Sequence, residues 1–175
     1  MGAMSDSKLL WLTGLSGSGK TTLAEALVVR LAAKGITIVH LDGDRLRQGL
    51  SSDLGFSQAD RRENLRRAGE VANLLLSAGH GVVASFISPY RADRDQIRAR
   101  ISPGAFAEVY IQCPLETCEH RDPKGLYVKV RRGEIPNFTG ISAPYEEPLT
   151  PELVLNTNLE SMEACLDRLE ALMEI

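Results

Sequence analysis

Cysteine is scarce in this sequence: Cys113, Cys118 and Cys165 are the three present, and no two of them form a C-x-x-C pair. Secreted domains that depend on disulfides use many more cysteines, usually in even numbers. We therefore expect reduced thiols, no structural disulfide and a cytoplasmic protein.

The sequence also lacks a strong excess of one charge and any long hydrophobic run. Its formal net charge is -3, which argues against a nucleic-acid-binding protein that works through overall charge, so any anion must be met by a local cluster. No apolar run approaches the length that crosses a bilayer, and no segment resembles a secretory signal. We expect no nucleic-acid partner and no membrane association.

Internal repeats and low-complexity tracts are absent as well. A chain of 175 residues with 43% hydrophobic content can bury one substantial core. Met1-Gly2-Ala3-Met4 resembles a scar left by cloning, because a second Met follows the first at once. We expect residues 1–7 to be this scar with a disordered N-terminus, and residues 8–175 to form a single domain.

One glycine-rich stretch stands out, because it fits the phosphate-loop pattern G-x-x-x-x-G-K-[ST]. An apolar run at 9–12 precedes it, and Leu23, Leu27 and Leu31 follow at helical spacing. A chance glycine-serine turn also matches the pattern, but a strand before it and a helix after it favour a loop that cradles phosphates at the helix N-terminus. The predicted ATP-binding residues are Gly14, Leu15, Ser16, Gly17, Ser18, Gly19, Lys20, Thr21 and Thr22.

The rest of the chain alternates strand-like and helical segments. Further strands are predicted at 36–41, 81–86, 107–111 and 153–155, and further helices at 60–76, at 89–101 and at the end of the chain. In the last helix, we expect four residues to face inward: Met162, Leu166, Leu169 and Met173. Strands joined by crossover helices give an α/β fold, here a three-layer sandwich of the P-loop NTPase type with a five-stranded parallel sheet and helices on both faces.

A segment rich in proline and glycine interrupts this alternation. Residues 121–151 show no sustained periodicity. Long irregular loops inside compact domains are often active-site lids. We therefore expect a lid at about residues 121–145 that closes over the site.

Two carboxylates, Asp42 and Asp44, follow the second predicted strand directly. Near the phosphates, one can hold metal-bound water and the other can accept a hydroxyl proton. Lys20 would reach the outer phosphates, while Thr21 and Asp42 would form the Mg²⁺ site. The alternative is an Asp helix cap followed by a solvated Asp.

Arginines are concentrated just after these carboxylates. Arg61 and Asn64 share a helix face at i,i+3, and with Arg47 they could bind an anionic second substrate. Glu63 and Arg67 at i,i+4 fit an ion-paired, solvated helix face instead. On spacing alone, the solvated face is favoured for most of these arginines.

A series of motifs, in order along nearly the whole chain, resembles the adenylylsulfate kinase family. Besides the glycine-rich loop, the motifs are Asp42-Gly43-Asp44 with Arg47, Gly55-Phe56-Ser57, Asp60-Arg61 with Glu63-Asn64, Phe86-Ile87-Ser88-Pro89-Tyr90-Arg91, Arg121-Asp122-Pro123-Lys124-Gly125-Leu126-Tyr127 and residues 138–146. In that family, ATP phosphorylates the ribose 3′-hydroxyl of adenosine 5′-phosphosulfate (APS). The resemblance implies ATP and Mg²⁺ as cofactors, APS as the small-molecule substrate, a homodimer, and an enzyme that is free-standing or joined to ATP sulfurylase.

The resemblance also implies roles for individual residues. The nucleotide-sulfate would be bound by Arg47, Arg61, Asn64, Ile87, Ser88, Lys124 and Leu126, with its adenine stacked between Phe56 and Phe138. Arg121 would lie over the adenine of ATP, and Asp44 would orient or deprotonate the 3′-hydroxyl. Arg45 stands where the family usually has Asn, which puts any role of that Asn in doubt here.

The expected mechanism is direct in-line phosphoryl transfer, and the candidate catalytic residues are Lys20, Asp44 and Ser88. Ser88 also invites a covalent phosphoserine step. A serine nucleophile needs a base, and a loose transition state leaves such a relay little barrier to remove, so we expect Ser88 to position substrate.

Two other functions stay open: a kinase of another small metabolite, and a nucleotide-dependent switch. Residues 122–125 match the D-x-x-G pattern of such a switch, although no Asn-Lys-x-Asp motif accompanies them.

Overall fold

The computed structural model describes residues 7–173, so residues 1–6 of the predicted scar lie outside it. The elements in chain order are β1 (Leu9–Thr13), α1 (Lys20–Ala33), β2 (Ile38–Asp42), α2 (Gly43–Gln48), α3 (Gln58–Ser77), β3 (Gly81–Ser85), α4 (Arg91–Arg98), β4 (Phe106–Gln112), α5 (Leu115–Arg121), α6 (Leu126–Arg131), β5 (Leu153–Asn156) and α7 (Met162–Met173). The predicted alternation is confirmed. Three helices of six or seven residues, α2, α5 and α6, were not predicted, and α6 lies inside the segment predicted to be irregular.

The five strands form one parallel sheet in the order β2-β3-β1-β4-β5. This confirms the predicted α/β fold. Because all strands run the same way, their carboxyl ends meet at one edge of the sheet. That edge carries Thr13, Asp42, Ser85, Gln112 and Asn156.

Helices cover both faces of the sheet. On one face, leucines of α1 and α7 pack with Leu10 and Leu12 of β1. On the other, α3 and α4 pack with Leu9 and Trp11. The three leucines predicted at helical spacing after the loop lie in α1 and are buried, and the predicted inward positions in α7 are confirmed with one exception. Met162 is 43% exposed because it is the first residue of α7, and the buried residues of the helix begin at Cys165.

The predicted lid has a small hydrophobic cluster of its own. Tyr127, Val130 and Phe138 pack there against Cys113 and Cys118 at the base of the lid. All three cysteines of the chain are buried and free. Within residues 7–173, no helix is both long enough and apolar enough to cross a membrane.

Candidate active site

The glycine-rich loop joins β1 to α1 at the carboxyl edge of the sheet. A Cβ at Gly14 would lie 2.5 Å from the Ile111 carbonyl oxygen, and a Cβ at Gly17 would lie 2.8 Å from that of Cys118. Gly17 also has a φ of 78°, in the left-handed region. Only glycine fits at these two positions, which explains the first glycine of the pattern, whereas Gly17 lies at one of its variable positions. Gly19, the second glycine of the pattern, has a left-handed φ of 101°.

Lys20 begins α1 and turns its side chain back into the loop. Its ammonium group donates to the carbonyl of Leu15 at 2.6 Å and to the hydroxyl of Ser18 at 3.4 Å. Burial lowers the pKa of Lys20 to about 7. The helix N-terminus and this lysine together form a site for an anion, and bound phosphate would supply the negative charge that offsets the burial.

Asp42 holds four hydrogen bonds at the end of β2. Its Oδ1 accepts the backbone N–H groups of Asp44 and Arg45 at 3.0 and 3.2 Å, and its Oδ2 accepts the hydroxyls of Thr21 and Ser85, each at 3.0 Å. Burial by itself raises the pKa of Asp42, but the Arg45 amide and the two hydroxyls outweigh it and hold the pKa below its usual value. Asp42 is therefore both the helix cap of the alternative interpretation and the partner of Thr21.

This arrangement fits a magnesium ion that is held largely by phosphate and water. The Thr21 hydroxyl donates its hydrogen bond to Asp42, so its oxygen lone pairs remain available to a cation. Asp42 has its roughly four acceptor positions filled, so it would orient Thr21 rather than bind the ion directly. Residues 7–173 contain no cluster of three or more His, Cys, Asp or Glu suited to a metal, which is compatible with an ion that arrives with nucleotide.

Asp44 lies on the first turn of α2, with its side chain 58% exposed, and forms an ion pair with Lys124 of the lid. The candidate base is thus in contact with the lysine expected to meet the anionic groups of the substrate. The two residues lie 80 positions apart in the chain, so this contact joins the predicted lid segment to the first turn of α2.

Arg47 of α2 and Arg61 of α3 contact Phe56 and the lid segment. The Arg47 guanidinium lies over the Phe56 ring, 4.4 Å from its centroid, while Arg61 donates to the Asn137 carbonyl of the lid at 2.9 Å. Asn64, 4% exposed, has a side-chain oxygen with no hydrogen-bond partner. A buried acceptor of this kind is costly unless a ligand donates to it.

The remaining arginines of α3 form ion pairs. Arg62 bonds Asp93 at 2.9 Å, and Arg67 bonds both Asp53 and Glu63. The pairs of Arg67 fit the solvated-face interpretation, whereas Arg62 pairs with a carboxylate that is only 3% exposed. Spacing alone could not separate them from Arg61, because the partners Asp53 and Asp93 lie outside the helix.

Comparison with known proteins gives the family. The family profile described as "Adenylylsulphate kinase" matches residues 6–156. The chain belongs to this family. It is 56% identical over 163 residues to the probable adenylyl-sulfate kinase of Bacillus subtilis, covering 93% of this chain and 83% of the relative. A solved structure of the Mycobacterium tuberculosis APS kinase in complex with AMPPNP and APS superposes with a TM-score of 0.91 at 46% identity, over 97% of this chain and 99% of that one.

In this adenylylsulfate kinase family member, both ends of the predicted lid segment form hydrogen bonds with residues at the carboxyl edge of the sheet. Arg121, at the start, donates to the Thr157 carbonyl at 2.9 Å. Near the other end, the Tyr145 hydroxyl lies 2.9 Å from the Thr13 hydroxyl, and the Glu146 amide donates to the Pro89 carbonyl at 2.8 Å. Thr157 also donates to the Ser18 carbonyl at 2.6 Å. Thr13, Tyr145 and Thr157 were not predicted, because these contacts join segments far apart in sequence.

Ser88 follows β3 near the carboxyl edge of the sheet, with its side chain buried. It is 2% exposed, and its hydroxyl accepts the indole N–H of Trp11 at 3.1 Å and donates to Thr13 at 3.0 Å. Its φ of 40° is left-handed, and its carbonyl accepts from buried Arg94 at 2.6 Å. These contacts hold the side chain and backbone of Ser88 in place and so fix the conformation of the adjoining loop. Ile87, in the same loop, is half-buried.

Five further motif residues of the kinase have clear structural positions. Asp122 accepts the backbone amides of Tyr127 and Val128 at 3.0 and 3.2 Å. It therefore caps α6, which accounts for the match to the D-x-x-G pattern. Phe138 is 8% exposed and meets Tyr127 edge to face at 5.1 Å, whereas Phe56 is 69% exposed. Leu126 is half-buried beside the same cluster, and Thr22 is exposed on the first turn of α1.

Proposed function

We propose that this kinase transfers the γ-phosphoryl group of ATP to the ribose 3′-hydroxyl of APS, giving 3′-phosphoadenosine 5′-phosphosulfate. The contact of Asp44 with Lys124 carries the proposal, since it joins a carboxylate next to the phosphate loop to the lid over the acceptor side. Family membership and the solved relative in complex with APS support the choice of acceptor.

In this mechanism, the chain supplies a general base, a lysine ammonium group and a pocket from which water is excluded. Asp44 accepts the proton of the 3′-hydroxyl as its oxygen attacks the γ-phosphorus in line, while the bond to the β-phosphate oxygen breaks. Lys20 and the loop amides stabilise the charge that develops on the transferring group. Mg²⁺, with Thr21 as its protein ligand, would neutralise phosphate charge. Closure of the lid would exclude water, which would otherwise accept the phosphoryl group.

The acceptor pocket would recognise both the charge and the flat base of APS. Arg47, Arg61 and Lys124 would face its phosphosulfate and ribose, and Asn64 would accept a hydrogen bond through its unpartnered oxygen. Phe56 and Phe138 would stack on the adenine. Arg121 would lie over the adenine of ATP, since it lies at the loop beside Gly17 and Thr157.

The decisive experiment is a coupled ADP-release assay with a panel of acceptors: APS, adenosine 5′-phosphate, adenosine and several hydroxylated sugars and acids. We expect rapid turnover with APS and little with the others, because adenosine 5′-phosphate lacks the sulfate. Turnover with another metabolite and none with APS would establish the alternative kinase. ATP hydrolysis that no acceptor accelerates would favour a nucleotide-dependent switch.

Phe138→Ala is expected to raise the KM for APS more than the KM for ATP. Loss of one face of a base stack costs roughly 1–3 kcal/mol, or about 5- to 150-fold in affinity. Because Phe138 also packs on Tyr127, the variant will melt earlier, and Phe138→Leu serves as the control that keeps apolar volume but lacks the flat ring. Steady-state kinetics with each substrate varied in turn measures the effect, and equal changes in both KM values would reject stacking.

Ser88→Ala is expected to keep substantial activity. The substitution removes hydrogen bonds to Trp11 and Thr13, each of which contributes about 1 kcal/mol to stability, but it removes no group from the phosphoryl path. Turnover and thermal unfolding measure the two effects. An inactive variant that still binds both nucleotides, together with labelled phosphate passing through Ser88 at the turnover rate, would replace direct transfer by a covalent relay.

Assembly and location stay predictions. We propose a homodimer, free-standing or associated with ATP sulfurylase, in the cytoplasm. We also propose that residues 8–175 are one domain with its lid at about 121–145. Mass measurement in solution, alone and with ATP sulfurylase, tests the assembly.

A further inference from the structure

A chain of hydrogen bonds extends from Asp42 away from the phosphate loop. Ser85 lies opposite Asp42 in the parallel register of β2 and β3, and its hydroxyl is 3.0 Å from Oδ2 of Asp42. His40 lies two residues before Asp42, on the same face of β2. Its Nε2 is 2.7 Å from the Ser85 hydroxyl. The link therefore joins a half-buried histidine to the carboxylate that accepts from Thr21.

The carboxylate fixes the directions of these hydrogen bonds. An ionised Asp42 can only accept hydrogen bonds, so the Ser85 hydroxyl must donate its one hydrogen bond to Oδ2. Ser85 then has no proton for the imidazole, and His40 must donate through Nε2–H. The chain of donors thus runs from His40 to Ser85 to Asp42, while Thr21 donates to Asp42 from the other side.

We propose that His40 is a positioning residue for the magnesium nucleotide. By donating to Ser85, which is 3% exposed, it holds the hydroxyl in the rotamer that bonds Asp42. Asp42 in turn accepts the hydrogen bond of the Thr21 hydroxyl, so the lone pairs of that oxygen remain available to the cation. Without His40, the Ser85 hydroxyl can turn to another staggered position and release Oδ2. The proposal rests on the magnesium nucleotide of the proposed function but not on its acceptor.

Isothermal titration calorimetry of ADP, with and without Mg²⁺, gives the factor by which Mg²⁺ raises ADP affinity. His40→Leu and Ser85→Ala are expected to lower this factor about twofold to tenfold, the range for one net hydrogen bond, with ADP affinity in the absence of Mg²⁺ unchanged. His40→Gln, whose amide nitrogen can replace Nε2, is expected to restore it. His80→Leu, at an exposed position just before β3, is the matched control and should keep the wild-type factor.

The double variant His40→Leu/Ser85→Ala separates a relay from two independent effects. If His40 acts only through Ser85, the double variant will match Ser85→Ala alone. A wild-type magnesium factor in His40→Leu, additive losses, or a loss of magnesium-free ADP affinity would overturn the proposal. His40→Asn, too short to reach Ser85, repeats the test with a polar side chain should His40→Leu fail to fold. Because no acceptor is added, failure of APS phosphorylation leaves this test intact.

Discussion

Lys20→Ala should reduce phosphoryl transfer by about 10³-fold or to below detection while leaving the protein folded. The substitution removes a cation from the phosphates, where loss of one preorganised donor to a developing charge typically costs about 10²–10³ in kcat. It should not destabilise the fold greatly, because burial already disfavours the charged lysine and lowers its pKa to about 7. The measurements are kcat with APS and the unfolding temperature.

Lys34→Ala is the matched control for this variant. Lys34 follows α1 at its other end and pairs with Glu170 on the surface. Its loss should leave turnover unchanged, since an exposed ion pair contributes only about 0–1 kcal/mol. Near-normal turnover by Lys20→Ala would remove the phosphate loop from the mechanism.

Asp44→Asn should lower kcat by about 10²–10⁴-fold, the contribution typical of a positioned general base. Asparagine keeps the size of the side chain but cannot take the hydroxyl proton. The KM for ATP should change little, because Asp44 is not among the predicted ATP contacts. Folding should be unaffected, as the pair with Lys124 is largely exposed and worth little to stability.

Asp53→Asn controls for the loss of one exposed, ion-paired carboxylate in the same region, since Asp53 pairs with Arg67. It should behave as wild type in kcat and in both KM values. If Asp44→Asn retained a kcat within about threefold of wild type, a base would contribute too little to account for general-base catalysis, and Asp44 would be reduced to a partner of the lid.

The parts of the site predicted from sequence are those built from local segments. β1, the glycine loop and α1 are contiguous, so pattern and spacing were sufficient to place Lys20 and Thr21. The short helices α2 and α6 span fewer than two turns and cannot show a sustained period. Asp42 was identified by its position after a strand, yet its bond to Ser85 depends on the register of β2 against β3, which no local pattern reveals.

The inward turn of Ser88 illustrates the same limit. Sequence places Ser88 after β3 and hence near the site, but not the direction of its hydroxyl. That direction follows from hydrogen bonds with Trp11 and Arg94, which lie in other elements. These bonds also hold Ser88 at a left-handed φ that serine rarely adopts. Sequence reasoning also identified Phe138 by motif, whereas its edge contact with Tyr127 depends on the fold of the lid.

The proposed lid is tethered at both ends, by Arg121 to Thr157 and by Tyr145 to Thr13. Fixing the backbone of a residue costs about 1–2 kcal/mol of free energy through lost conformational entropy. For the two tethered ends of the lid, this cost is met when the chain folds and does not recur when substrates bind. Each catalytic cycle then has to order only the residues between the tethers. Less of the binding free energy of the two nucleotides is then spent on ordering the lid, so the same contacts give tighter binding of both.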